Sequence, residues 1–208
     1  FTISYPSIAD QKSIIKKIDQ CFSKTSTLIS LTEVALIDQS SFVELTISDI
    51  FRSCATNSKN LNLIELCDKN RGITYGVIKL GKEVIGGVPC LRTSNVRSRY
   101  ITTNVMKRIS KEISSEYSRT ILRGNEVLVN VRGTLGGVAV ANKNMQGWNI
   151  SREVALVPII TKLINPNYVA LFISSKDAQK WLSNNTKGAA YKGVNLEDLR
   201  TMPIPYPE

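Results

Sequence analysis

The chain has 208 residues, with 27 Lys and Arg against 17 Asp and Glu, a formal net charge of +10. At 42% hydrophobic and 21% charged, it has an ordinary globular balance that excludes a disordered polymer. It holds no histidine, which excludes Ser-His or Cys-His nucleophile pairs and histidine metal sites within it, and no apolar run approaches the ~18 residues of a membrane span.

The opening residues lack the charged-then-apolar order of a signal peptide. A start without Met reads as a segment of a longer chain. From there, Ile8, Gln11, Ile15, Ile18, Phe22, Thr25, Ile29, Thr32 and Leu36 follow one another in steps of three and four. That spacing predicts a helix over 8–36 with a coiled-coil seam, so Ile8, Ile15, Ile18, Phe22, Ile29 and Leu36 are expected at an interface with a partner helix. Ser7 is the expected N-cap, with Asp10 at the third helical position.

The texture changes near residue 42. A polar stretch, 55–62, leads into short β-like runs at Tyr75–Leu80, Val88–Arg92, Glu126–Val131, Val138–Val140 and Val154–Ile160, punctuated by glycines. Residues 166–183 read as one helix opened by Pro166. A Gly/Lys/Asn loop spans 184–193, Leu196–Leu199 is a helical turn, and 202–207 is proline-locked and extended. The expected class is α+β, mostly β in the centre, with a long helix in front. Ile3-Ser4-Tyr5-Pro6 resembles Ile204-Pro205-Tyr206-Pro207, as if the chain were one period of a longer repeat.

The charge is not spread evenly. Residues 71–143 carry thirteen basic and four acidic residues, +9 of the total +10. Most of the thirteen are Arg, interleaved with Tyr and Asn, a pattern that suits a polyanion such as nucleic acid. Cys21, Cys54, Cys67 and Cys90 form no CxxC pair. They read as reduced, mostly packed cysteines of a cytoplasmic protein, with no metal site.

Several stretches together resemble the specificity subunits of type I restriction–modification enzymes. Residues 3–19, ISYPSIADQKSIIKKID, resemble the junction from a recognition domain into a conserved helix. Gly72-Ile73-Thr74-Tyr75-Gly76-Val77-Ile78, Pro89–Val96, Leu122–Gly133, Asn149–Arg152 and Leu196–Pro205 resemble motifs within the recognition domain, in the family's order. The resemblance implies a division into 1–7, the end of a preceding recognition domain; 8–40, a conserved coiled-coil helix for spacing and docking; and 41–208, a target-recognition domain. It implies a fold similar to the recognition domain of Taq-type adenine methyltransferases.

It also implies non-catalytic recognition of double-stranded DNA. Methylation of adenine N6 and restriction would fall to partner methyltransferase subunits and, through them, a restriction/translocase subunit. No cofactor is implied, and the chain carries no Asn/Asp-Pro-Pro-Tyr/Phe motif. Asn165-Pro166-Asn167-Tyr168 comes near that motif but reads better as a helix start. Two other readings stay open: the recognition domain of a single-chain methylase–nuclease, and a coiled-coil scaffold that does not bind DNA.

Residue chemistry then nominates contacts. Lys79, Lys82, Arg97, Arg99, Lys187 and Lys192 are expected at phosphates. Arg92, Asn95, Arg132, Asn149 and Arg152, at strand ends or turns, are expected to read bases. Gly133, with Gly136 and Gly137, allows close approach of a backbone. Tyr75 and Trp148 are expected either to stack in a groove or to pack in the core.

Overall fold

The computed structural model describes residues 7–55, 58–133, 135–187 and 193–207; of Ile14, residues 36–41, Cys54, Ala55 and Pro207 it describes the backbone alone. Residues 1–6 and Lys192 lie outside the described residues, and so does the side chain of Leu36. The chain divides into two compact units after Glu44.

The first unit is helical. Helix α1 spans Ile8–Ala55, and its last turns belong to the second unit. Ser7 caps it as expected: Asp10 N donates to Ser7 Oγ at 3.3 Å, and Ser7 Oγ donates to Asp10 Oδ2 at 2.6 Å. The seam residues Ile8, Ile15, Ile18, Phe22 and Ile29 are exposed. Thr25 and Thr32 return their hydroxyls to the carbonyls of Cys21 and Leu28 one turn back.

The helix runs well past the expected end at residue 36. Phe42–Ile47 alternates like a strand in sequence, but Val43, Ile47 and Phe51 recur every four residues and share one helical face. Phe51 is buried and meets the rings of Tyr168 and Phe172 edge-on, each at 5.2 Å.

The second unit mixes helix and sheet. Its strands are β1 (Ser58–Asn62), β2 (Thr74–Tyr75), β3 (Val88–Leu91), β4 (Lys107–Ile109), β5 (Val127–Asn130), β6 (Val138–Val140), β7 (Asn149–Ile150), β8 (Val154–Val157), β9 (Thr186–Lys187), β10 (Gly193–Val194) and β11 (Pro203–Pro207). Its further helices are α2 (Lys111–Glu116), α3 (Pro166–Ile173), α4 (Lys176–Asn184) and α5 (Leu196–Arg200).

The central sheet is antiparallel, in the order β2-β8-β5-β6. All four residues of β5 and of β8 are buried, because both faces are covered. Val127, Val129, Ala155 and Val157 point into one cluster with Leu63, Leu66, Ile204 and the apolar sides of α3 and α4. Leu128, Val154 and Leu156 point into a second, with Leu91, Leu122 and Ile150, against which Trp148 packs. The period of two thus feeds two cores.

A three-stranded sheet, β4-β3-β7, adjoins it, with β3 and β7 parallel. The proline-locked segment is β11, and it pairs antiparallel with β1, which lies inside the polar stretch 55–62. Pro203, Pro205 and Pro207 alternate, so the missing N–H groups lie on one edge while Ile204 and Tyr206 face β1. Tyr168 Oη donates to the Pro205 carbonyl at 2.9 Å.

Residues 166–183 form two helices rather than one. Asn165 caps the first, accepting from Asn167 N at 2.9 Å, with Pro166 in its first turn. Ser175 starts the second by accepting from Ala178 N. A serine that competes for backbone donors therefore interrupts an otherwise continuous apolar pattern.

Candidate nucleic-acid interface

The antiparallel register sets which ends of the central strands coincide. Asn130 lies opposite Val154, Tyr75 opposite Ala155, and Val129 opposite Val138. The ends of β2 and β5 and the starts of β8 and β6 therefore share one end of the sheet. Tyr75, Arg132, Gly133 and Arg152 are all there, although up to 77 positions separate them in sequence.

Short contacts tie this end together. The Arg132 guanidinium carbon is 5.0 Å from the Tyr75 ring centroid. Arg132 N donates to Glu153 O at 3.3 Å, and Arg152 N donates to Val77 O at 2.9 Å. Arg132 also bridges Gly193 in β10, the partner of Lys187 in β9. A Cβ at Gly193 would sit 2.9 Å from Arg132 Cγ, so glycine is required for the approach.

The 97–100 turn joins the same end. Arg99 N donates to Val138 O at 2.7 Å, and Val138 N donates to Arg97 O at 3.2 Å. Arg99 holds a left-handed φ of 72°, unusual for a residue with a side chain. Both arginines are exposed. Gly137 lies against this turn: a Cβ there would meet Val96 O at 2.4 Å and Asn130 Nδ2 at 2.3 Å.

A cleft of about 380 Å³ opens beside Arg132. One wall holds Tyr75, Gly76, Ile78, Arg132 and Arg152; the other holds residues 116–120, with Tyr117 and Arg119 among them. The second wall is fastened from beneath. Arg71, its side chain 8% exposed, donates from Nη1 to Glu126 Oε1 at 2.6 Å, from Nε to Arg119 O at 3.3 Å and from Nη2 to Ile121 O. Glu126 Oε1 also accepts from Arg123 N at 2.7 Å.

Two expected base readers are instead internal supports. Asn149 is fully buried: its Oδ1 accepts from Thr120 Oγ1 at 2.6 Å and Ile150 N at 2.9 Å, and its Nδ2 donates to Ser114 Oγ at 3.2 Å. Asn95 is 2% exposed: Oδ1 accepts from Arg92 N, and Nδ2 donates to the carbonyls of Thr102 and Val105. These amides are consumed inside the fold, which corrects their expected role. Trp148 packs on the second core rather than standing free.

The remaining expected residues divide. Arg152 Nε donates to Glu153 Oε1 at 3.1 Å. Burial raises the Glu153 pKa, but the nearby Ser151 hydroxyl, its own backbone N–H and Arg152 outweigh it and hold the carboxyl below its ordinary range. Lys187 is exposed and pairs with Asp198 at 2.9 Å. Arg92 is half-buried at the end of β3. Lys79 and Lys82 are exposed in the loop after β2, and no strand pairing brings them to the sheet end. Lys192 lies outside the described residues.

Arg119 was not singled out in sequence. It lies in a short 3-10 turn after α2, with no motif or periodicity to mark it. Among the described residues, no cluster of three or more His, Cys, Asp or Glu could hold a metal ion. No described helix is long and apolar enough to cross a membrane. Burial pushes the thiols of Cys67 and Cys90 up to about 12.

Comparison with known proteins adds to this geometry. The family model described as "Type I restriction modification DNA specificity domain" matches residues 44–208. The chain is 30% identical over 145 residues to the type I restriction enzyme EcoBI specificity subunit of Escherichia coli, covering 70% of this chain and 30% of that protein. It resembles a chain in a solved structure of a type I R-M system with a TM-score of 0.63 at 15% identity, covering 97% of this chain and 48% of the other. A crystal structure of the HsdS subunit from Thermoanaerobacter tengcongensis aligns with a TM-score of 0.48 at 18% identity, over 97% of this chain and 47% of that one. The chain thus spans less than half the length of each of these relatives.

Proposed function

Since the chain belongs to the type I restriction modification DNA specificity domain family, we propose that it recognises a segment of double-stranded DNA as the non-catalytic specificity component of a cytoplasmic restriction–modification enzyme. Partner methyltransferase subunits would methylate adenine N6, and a restriction/translocase subunit would act through them. The observation that carries this reading is the gathering of Tyr75, Arg97, Arg99, Arg132 and Arg152 at one end of the central sheet. Such a cationic, partly aromatic rim suits the phosphate ridge and groove of a duplex.

In this reading residues 41–208 form the recognition domain, and 1–7 close a preceding one. Residues 8–40 set spacing and dock partners. The exposed apolar seam at Ile8, Ile15, Ile18, Phe22 and Ile29 supports a helix partner, from a second conserved region or a second copy.

The test is DNA binding by the chain alone and then with its methyltransferase subunit. Salt-dependent binding should become sequence-specific on assembly. Sequence-indifferent binding by the assembled complex would overturn the proposal.

A further inference from the structure

We infer that the Tyr75–Tyr117 cleft is a clamp for the sugar–phosphate backbone of one strand, with Arg119, Arg132 and Arg152 as its phosphate contacts, and that base reading falls to the protruding turns beside it. The inference rests on the DNA-recognition reading above and assigns roles within it.

Shape carries the first step. Base edges lie at the floor of a groove, so reading them takes an element that protrudes, as a helix or ribbon does. The backbone is the convex ridge of a duplex. A concave cleft of about 380 Å³ fits a ridge and cannot reach a groove floor.

Charge carries the second. The lining holds three guanidinium groups against one carboxylate, Glu116. Among the described residues, Arg119 and Arg132 have no carboxylate partner, whereas Arg71 and Arg200 each have one and Arg52 has two. Arg152 has Glu153 at 3.1 Å, with the arginine side chain 43% exposed; so open a pair is weak and can be exchanged for a phosphate.

Rigidity carries the third. Tyr75 holds Arg132 from one wall, while Arg71 and Asn149 fix the other wall through the Arg119 and Ile121 carbonyls and the Thr120 hydroxyl. Contacts that set register need such preorganisation. The turn bearing Arg97 and Arg99 stands exposed on its anchor at Val138 and is the better placed reader.

The two roles separate by salt. Each phosphate contact contributes about 0.9 to the slope of log K against log[salt], while a base contact contributes to sequence preference. The measurement uses the chain assembled with its methyltransferase subunit, a labelled duplex of mixed sequence for the slope, and selection from randomised duplexes for the preference. Arg119→Ala, Arg132→Ala and Arg152→Ala should each lower the slope by about 0.9 and leave the selected sequence unchanged. Arg132→Lys gives up the planar stacking on Tyr75 but keeps the positive charge that a phosphate contact needs, so it should retain the slope and the selected sequence.

Lys162→Ala, at the opposite end of the sheet, should change neither. A relaxed base preference in Arg132→Lys, or an unchanged slope in the three alanine variants while the wild type binds, overturns the clamp alone. Absence of salt-dependent binding by the wild type overturns the DNA reading with it.

Discussion

The Arg132 guanidinium lies over the Tyr75 ring, 5.0 Å from its centroid, and joins the ends of two strands that β8 separates. The Tyr75 hydroxyl contributes little, since its contact with the Val194 carbonyl is 3.5 Å long. The ring matters more than the hydroxyl. Tyr75→Phe should stay within about 0.5 kcal/mol of wild type, and Tyr75→Leu should lose about 1 kcal/mol of stability by denaturant titration. Tyr75→Leu should also weaken DNA binding, because Arg132 loses the surface that orients it. Equal loss in both variants would show the hydroxyl to be the working group.

Asn149 distinguishes a support from a reader. Its removal orphans the Ile150 N–H and takes the amide donor from the Ser114 hydroxyl in a fully buried site, while the Thr120 hydroxyl keeps only the Tyr117 carbonyl, at 2.9 Å. Each unsatisfied buried group costs about 1–3 kcal/mol. Asn149→Ala should therefore destabilise the fold by about 2–4 kcal/mol, seen as a lower denaturation midpoint. A variant of normal stability with altered sequence preference would restore Asn149 as a reader.

The same residue shows what sequence makes legible. Asn149 follows Trp148 at the start of a short β-run, and nothing local separates a buried amide from an exposed one. The strands Glu126–Val131 and Val138–Val140 were readable because apolar runs ended at glycines. Their two-sided burial was not, since it depends on what packs against each face. The helix start at Ser7 was legible from a cap, while its end at Ala55 was obscured by a strand-like alternation over 42–47. Arg132 and Arg152 could be nominated singly; their meeting is a property of strand register. Arg119 reaches the cleft through buried partners distant in sequence, Arg71 and Asn149, which no spacing rule links to it.

Asp177, in the first turn of α4, gives a pH dependence. The hydrogen bond from Arg52 holds its carboxyl below the ordinary value, with burial opposing. A carboxyl with a depressed folded pKa binds its proton more weakly folded than unfolded. Its stabilisation is complete above the unfolded value of about 3.9 and is lost as pH falls through the folded value. The melting-temperature gap between wild type and Asp177→Asn should hold steady from neutral pH down to about 5 and close below about 4. A gap that widened in acid would contradict the assignment.

The Arg71–Glu126 pair allows a sharper test, because burial makes its halves costly to separate. Their side chains are 8% and 3% exposed, and Glu126 Oε2 is buried without a hydrogen-bond partner. Arg71→Met leaves that carboxylate with little beyond the Arg123 N–H, and breaking such a pair costs about 3–5 kcal/mol. Glu126→Leu strands the guanidinium in turn. The double variant removes both charges and should cost much less than the sum of the singles, a coupling readable in a double-mutant cycle. It also removes the donors to the Arg119 and Ile121 carbonyls. Amide exchange across 117–121 should therefore quicken in the double variant even where global stability is largely recovered. Additive single effects would mean that the charges act independently; unchanged exchange would mean that Asn149 holds the cleft wall by itself.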